Sequence, residues 1–195
     1  STTTDIIPIK NGKPLAGKTD FERLKKGELV YLGALRTHIA AILKSVIVGG
    51  KKSRISSELF AITADAYMVL GMIEQEHYTC DTPDGAGKTI ADAKRRLARV
   101  VCADLTEIGE TDLISIARQV MEAEVNDIRD AIFELSQRHG IKRIVACGLG
   151  EFLVDYAAKE PGFDIILISK KYGMEISKVF PAFAAARLLK DKNRR

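Results

Sequence analysis

The sequence predicts an α/β chain with a helical block between a hairpin-forming start and a strand-helix-strand end. Three observations predict it. Asn11-Gly12 stands between "TTDIIPIK" and "KPLA", and this dipeptide is the strongest two-residue hairpin signal because both positions accept positive φ. Residues 56–140 carry helical periodicity and helix punctuation, interrupted by one polar loop. The last third reads "KRIVACG", "LGEFLVDYAA" and "FDIILIS", a strand, a helix and a strand, which implies a parallel pair with a right-handed crossover. The 195 residues suit one domain, 1–195, large enough to bury a core without disulfides.

Taken in order, "TDFERLKKGE" predicts a short helix capped by Thr19 or Asp20, with Glu22 in its first turn. "ELVYLGALRT" reads as a strand ending at Arg36. Residues 38–55 are ambiguous: "HIAAILKSVIV" is apolar and "GGKKSR" is a basic loop. From Ser56 or Ser57 a buried helix is expected, "SSELFAITADAYMVLGMI", capped by Ser57. Glu58 and Asp65 then fall inside an apolar run, where unpaired acids are costly. They are expected to pair with bases such as Arg36 or Arg54, or to line a site.

"HYTCDTPDGAGKT" is a polar loop. Thr89 with Asp92 three residues on forms a capping box for "IADAKRRLARVVCAD". Ile90, Ala93, Leu97 and Val100 make its apolar face, and Lys94, Arg95, Arg96 and Arg99 read as a solvated one. A long amphipathic helix follows, with Ile114, Ala117, Met121, Val125, Ile128, Ile132 and Leu135 as its stripe. Arg138 and His139 suit its negative end, and Gly140 terminates it. "VFPAFAAARLLK" reads as a small-residue helix that packs closely.

Composition narrows the function classes. The net charge is +4 and the pI about 8.9, part of it from the terminal "KDKNRR". Aromatic residues are only 6% and Trp is absent, which argues against nucleic acid. A mild Lys and Arg excess suits a phosphorylated metabolite. Three widely spaced cysteines without a C-x-x-C read as reduced thiols in a cytoplasm rather than disulfides or a zinc site. No apolar run approaches the ~18 residues of a membrane span, and no signal peptide stands out.

Four stretches could carry chemistry. In "STTTDI", hydroxyls and backbone N–H groups can cradle phosphate, and Asp5 can hold a bridging magnesium ion; a Thr-rich edge strand is the competing reading. "VACGLGEF" closes a strand and opens a helix, offering N–H groups to an anion, but Leu153 breaks the dinucleotide fingerprint. "DTPDGAGKT" fails as a phosphate loop because Thr82 replaces the first glycine; Asp81, Asp84 and His77 could meet a metal or an amine, and turn formation competes. Lys18, Arg23 and Arg36 are candidate phosphate ligands, Arg36 foremost because it ends an apolar run. The three scattered histidines suggest no metal set.

The blocks "STTTDIIPI", "GKTDFERLKKGELVYLGALRT", "SELFAITADAYMVLG", "YTCDTPDGAGKT", "RLARVVCAD" and "CGLGEFL", in this order, resemble the tetrahydromethanopterin-linked one-carbon-transfer pathway protein family. That family is a hydantoinase/oxoprolinase-like branch of the actin and sugar-kinase ATPase superfamily. The resemblance spans nearly the whole chain and is most specific around 17–37 and 56–104. It implies a ribonuclease H-like fold with a helical insertion at about 56–140. It implies that Ser1, Thr2, Thr3 and Thr4 bind phosphate oxygens, that Asp5 holds hydrated magnesium, and that Gly148 and Gly150 border a nucleotide or diphosphate.

The implied activity is a transferase of methanofuran biosynthesis. It joins a furanmethanol diphosphate to γ-glutamyltyramine and releases pyrophosphate, with Lys18 and Arg36 neutralising the leaving group and Asp81 or Asp84 taking the phenolic proton. Family members carry a first phosphate motif ahead of "STTTDI". The expectation is therefore a partial fold, completed by that segment or by another chain such as a second copy. An ATP-dependent kinase or amidohydrolase of the oxoprolinase type, and a non-catalytic module binding a phosphorylated ligand, are the alternatives.

Overall fold

The computed structural model describes residues 2–159 and 162–192; Ser1, residues 160–161 and residues 193–195, the end of the basic tail, lie outside them. It is a mixed α/β chain whose strands form four separate two-stranded sheets among the described residues. β1 (Thr4–Asp5), β2 (Ile9–Lys10) and β3 (Lys13–Pro14) open the chain. The Asn11-Gly12 turn forms with φ of 52° and 72° and closes the β2–β3 hairpin, Lys10 opposite Lys13. β1 does not join that hairpin. It pairs antiparallel with β4 (Leu29–Val30), Thr4 opposite Val30. Between them lies α1 (Asp20–Lys25), whose Thr19 hydroxyl accepts from the Glu22 N–H at 3.2 Å.

The strand expected to run to Arg36 stops at Val30. Hydroxyls end it. The Gly33 N–H donates to Thr37 Oγ1 at 2.8 Å, Thr37 Oγ1 donates to the Gly33 carbonyl, and Thr63 Oγ1 donates to the same carbonyl at 2.7 Å. The ambiguous stretch resolves into α2 (Ile39–Ile42) and the hairpin β5 (Ser45–Val48) to β6 (Lys51–Arg54), turning through Gly49-Gly50. The helix expected from Ser57 begins only at α3 (Thr63–Val69). Ile62 is held extended by a bridge to His38, and Asp65 Oδ2 accepts from the Ile62 N–H at 3.0 Å. Glu58, outside the helix, is exposed.

α4 (Ile90–Arg99) starts on the expected Thr89–Asp92 capping box. Its apolar face is Ala93, Leu97 and Val100, while Ile90 is exposed. Arg96, expected in the solvated face, is fully buried. α5 (Glu110–His139) is 30 residues long, about 45 Å, and ends on Gly140 in the left-handed conformation. It runs through both hydrophobic cores. One gathers Ile39, Val46, Leu97, Leu113 and Ile116; the other gathers Tyr67, Ile73, Tyr78, Ile128 and Leu153.

β7 (Arg143–Ala146) and β8 (Asp164–Leu167) pair in parallel around α6 (Glu151–Ala157), as the alternating pattern predicts. α7 (Ile168–Tyr172), α8 (Met174–Lys178) and α9 (Phe180–Lys192) complete the chain. α9 does not pack as expected: it buries no residue, and Leu188 and Leu189 are exposed. Its aromatic side chains cluster instead with Tyr172 of α7 at centroid distances of 5.6–6.2 Å. Among the described residues no helix is long and apolar enough to cross a membrane.

Candidate functional site

The clamped turn at 32–36 is where the predicted site residues meet. On one side the Thr4 hydroxyl donates to the Leu32 carbonyl at 3.0 Å. On a second, Gly150 lies so near the turn that a Cβ there would stand 3.4 Å from Ala34 Cβ. On a third, the Cys80 thiol donates to the Leu35 carbonyl at 3.9 Å, which sets Asp81 beside the turn. Arg36 projects from its end, exposed and without an ion pair among the described residues. Thr4, Arg36, Asp81 and Gly150 therefore share one neighbourhood although they lie up to 146 residues apart. Thr2 and Thr3 precede β1, half-buried; Ser1 lies outside the described residues.

The other candidates have different surroundings. Asp5 pairs with Arg23 Nη2 at 2.7 Å, while Arg23 Nε is buried without a hydrogen-bond partner among the described residues. Lys18 stands two residues ahead of α1, its backbone N–H donating to Glu22 Oε2 at 2.8 Å, and among the described residues no contact carries it to the turn. The Gly148 N–H is already donated to Ser177 Oγ at 3.0 Å. Asp84 bridges Arg96 Nη1 at 3.1 Å and Arg99 Nη1 at 3.3 Å. Partial burial pushes its carboxyl up, but the Ala86 N–H and Arg96 outweigh that and hold it below the ordinary range. A carboxylate so held is a weak base; Asp81, exposed beside the turn, is the better placed one.

Beneath the site lies a polar lattice. Arg96 Nε donates to Asp65 Oδ1 at 2.8 Å, the Tyr78 phenol donates to the same oxygen at 3.0 Å, and Arg96 Nη1 also reaches the Gly87 carbonyl at 3.0 Å. Burial opposes the guanidinium charge; Asp65 overrides it and holds the proton more firmly. Deeper, the Tyr67 phenol donates to Glu124 Oε2, and Tyr67 meets Phe152 edge-on at 5.1 Å. Burial raises the Glu124 carboxyl to about 7, and its Oε1 has no hydrogen-bond partner among the described residues. Glu151, also buried, accepts from Ser177 Oγ at 2.5 Å and from the Ser169 N–H at 3.2 Å, tying α6 to α7 and α8. Burial and then Glu151 push the Cys147 thiol up, away from nucleophilic use.

Sequence reasoning missed Arg96, Glu124 and Glu151. The signal was present for the first two. Arg96 stands three after Ala93 and four before Val100, and Glu124 four after Val120 and four before Ile128. Both sit inside apolar stripes.

Two comparisons bear on this arrangement. A family model described as hydantoinase/oxoprolinase matches residues 1–192. The chain is 43% identical over 192 residues to the (4-{4-[2-(gamma-L-glutamylamino)ethyl]phenoxymethyl}furan-2-yl)methanamine synthase of Methanocaldococcus jannaschii, covering 98% of this chain and 58% of that protein. It is 38% identical over 196 residues to the synthase of the same name from Methanococcus vannielii, covering 98% of this chain and 88% of that one.

Proposed function

We propose a function from this premise: the chain belongs to the hydantoinase/oxoprolinase family. The reading is a transferase of methanofuran biosynthesis that joins a furanmethanol diphosphate to γ-glutamyltyramine, with pyrophosphate as the second product. Its support is the name shared by the two relatives. The observation that carries it in this chain is the meeting of Thr4, Arg36, Asp81 and Gly150 around one turn. The finer fold assignment, ribonuclease H-like, is part of the same proposal.

The phenolic oxygen forms a bond to the furfuryl carbon as that carbon's bond to the diphosphate breaks, and the bonding pair leaves with pyrophosphate. Asp81 takes the phenolic proton. Arg36 and the hydroxyls of Thr2, Thr3 and Thr4 meet the charge that grows on the departing oxygens, where pre-placed donors act most strongly. Gly150 keeps the opposite wall low.

Magnesium fits these residues as an ion carried in with the diphosphate. Arg23 occupies Asp5 Oδ1 and leaves Oδ2 open on a half-exposed side chain, and magnesium is usually held by one or two carboxylates plus substrate phosphates. When bound it would neutralise charge on the leaving group. The test is direct: the full-length protein with both substrates and magnesium should release pyrophosphate and form the aryl ether. No ether under those conditions ends the proposal. The family's description also favours an amidohydrolase of the oxoprolinase type; this reading, or a kinase, would be revealed by magnesium-dependent ATP turnover with a small amide or alcohol.

A further inference from the structure

Next to Asp81 the surface opens a cleft of about 640 Å³, lined by Glu74, Gln75, Glu76, Tyr78, Thr79 and Lys88. Tyr78 is its buried wall. Its phenol is spent on Asp65 and its ring is buried, so the charged side chains are what the cleft offers. Lys88 makes no ion pair among the described residues; its Nζ rests 5.5 Å from the centre of the Tyr78 ring. Glu74 and Glu76 are exposed, and Glu76 Oε1 lies 3.6 Å from His77 Nε2. The cleft thus carries charges of both signs that make no ion pair with each other among the described residues.

That chemistry suits a ligand carrying an ammonium and a carboxylate on one carbon, attached to an amide or apolar stem. A ligand without the ammonium leaves the two glutamates unanswered, and one without the carboxylate leaves Lys88 unanswered. Resting on the transferase reading, we propose that this cleft holds the α-amino and α-carboxylate end of the γ-glutamyl acceptor. Lys88 takes the carboxylate and Glu74 with Glu76 the ammonium. Position agrees with chemistry. Asp81 stands three positions after Tyr78, a reach of at most about 10 Å of chain, so the acceptor can anchor in the cleft while its phenol lies at the proposed base. The cleft selects the acceptor; the turn at 32–36 handles the leaving group.

The test is calorimetric binding to the whole chain, with pyrophosphate release assayed in parallel. The probes are γ-glutamyltyramine, N-glutaryltyramine, which lacks only the ammonium, and N-acetyltyramine, which lacks both charges. The expected order is γ-glutamyltyramine tightest and N-acetyltyramine weaker by about tenfold or more, with N-glutaryltyramine between. Lys88→Met should bring γ-glutamyltyramine close to N-acetyltyramine and leave N-acetyltyramine unchanged. Glu74→Gln with Glu76→Gln should erase only the gap between the glutamyl and glutaryl probes. Equal affinities for the three probes, or a Lys88→Met protein that still discriminates, would overturn the subsite. Discrimination without pyrophosphate chemistry would leave the subsite standing and sink the transferase reading; the reverse result would do the opposite.

Discussion

Arg96 and Arg36 stand in opposite sequence contexts, and the folded chain reverses what each context suggests. Arg96 sits in the basic run "KRR" yet is fully buried, with Asp65, Asp84 and the Gly87 carbonyl around it. Arg36 ends an apolar run yet stands exposed, unpaired among the described residues, on a turn whose backbone is clamped by Thr37 and Thr63. The polar lattice answers most of its charges internally, with Arg96 Nη2 and Glu124 Oε1 left without hydrogen-bond partners among the described residues, and its proposed work is structural. The turn leaves its charge open, and its proposed work is on a ligand. If that contrast is right, substitutions in the two regions should separate stability from activity.

The largest effect belongs to the lattice. Arg96→Met leaves Asp65 buried without its cation and should cost about 3–5 kcal/mol, read as a drop in the urea midpoint. A loss below ~1 kcal/mol would mean that Tyr78 and the Ile62 N–H satisfy Asp65 alone.

Glu124 tests the lattice by pH. Its carboxyl is raised from 4.5 to about 7 by burial, so the folded chain binds this proton more tightly than the unfolded one. Its contribution to stability is full below about 4.5 and is lost as pH rises toward 7. The span corresponds to roughly 3 kcal/mol. Glu124→Gln should remove that slope and be the more stable protein at pH 8, as measured by unfolding at several pH values. An unchanged slope would assign it to another group.

Arg36→Ala should reverse the pattern. Stability should stay within about 0.5 kcal/mol, while pyrophosphate release falls on the order of 100-fold in kcat/KM. A variant that keeps its turnover removes Arg36 from the leaving-group site. The smallest effect is Thr4→Val, which loses the bond to the Leu32 carbonyl. About 1 kcal/mol of stability should go, together with a modest loss of turnover.

What the sequence made legible was local. The Asn11-Gly12 turn, the Thr89–Asp92 cap, the Gly140 terminator and the β7–α6–β8 unit depend on residues within a few positions of one another, or on a period that one helix or strand displays. What it hid was long-range. α3 starts late because Ile62 is tied to His38, 24 residues away, and β4 ends early because Thr63 reaches back to Gly33. Arg96 is buried because Asp65 waits for it 31 residues upstream. The candidate site was half legible. Residue types marked Thr4, Arg36, Asp81 and Gly150, but only the fold put them around one turn. It also showed that Asp84, Arg23 and the Gly148 N–H are already engaged.

The central claim is that the diphosphate sits at the 32–36 turn. Crystals of the full-length protein soaked with magnesium and pyrophosphate test it most directly. The account predicts density bounded by the Thr4 strand end, the Arg36 guanidinium and Gly150. Density in the other basic cleft, lined by Glu22, Lys25, Lys26 and Arg138, with the turn empty, would contradict it.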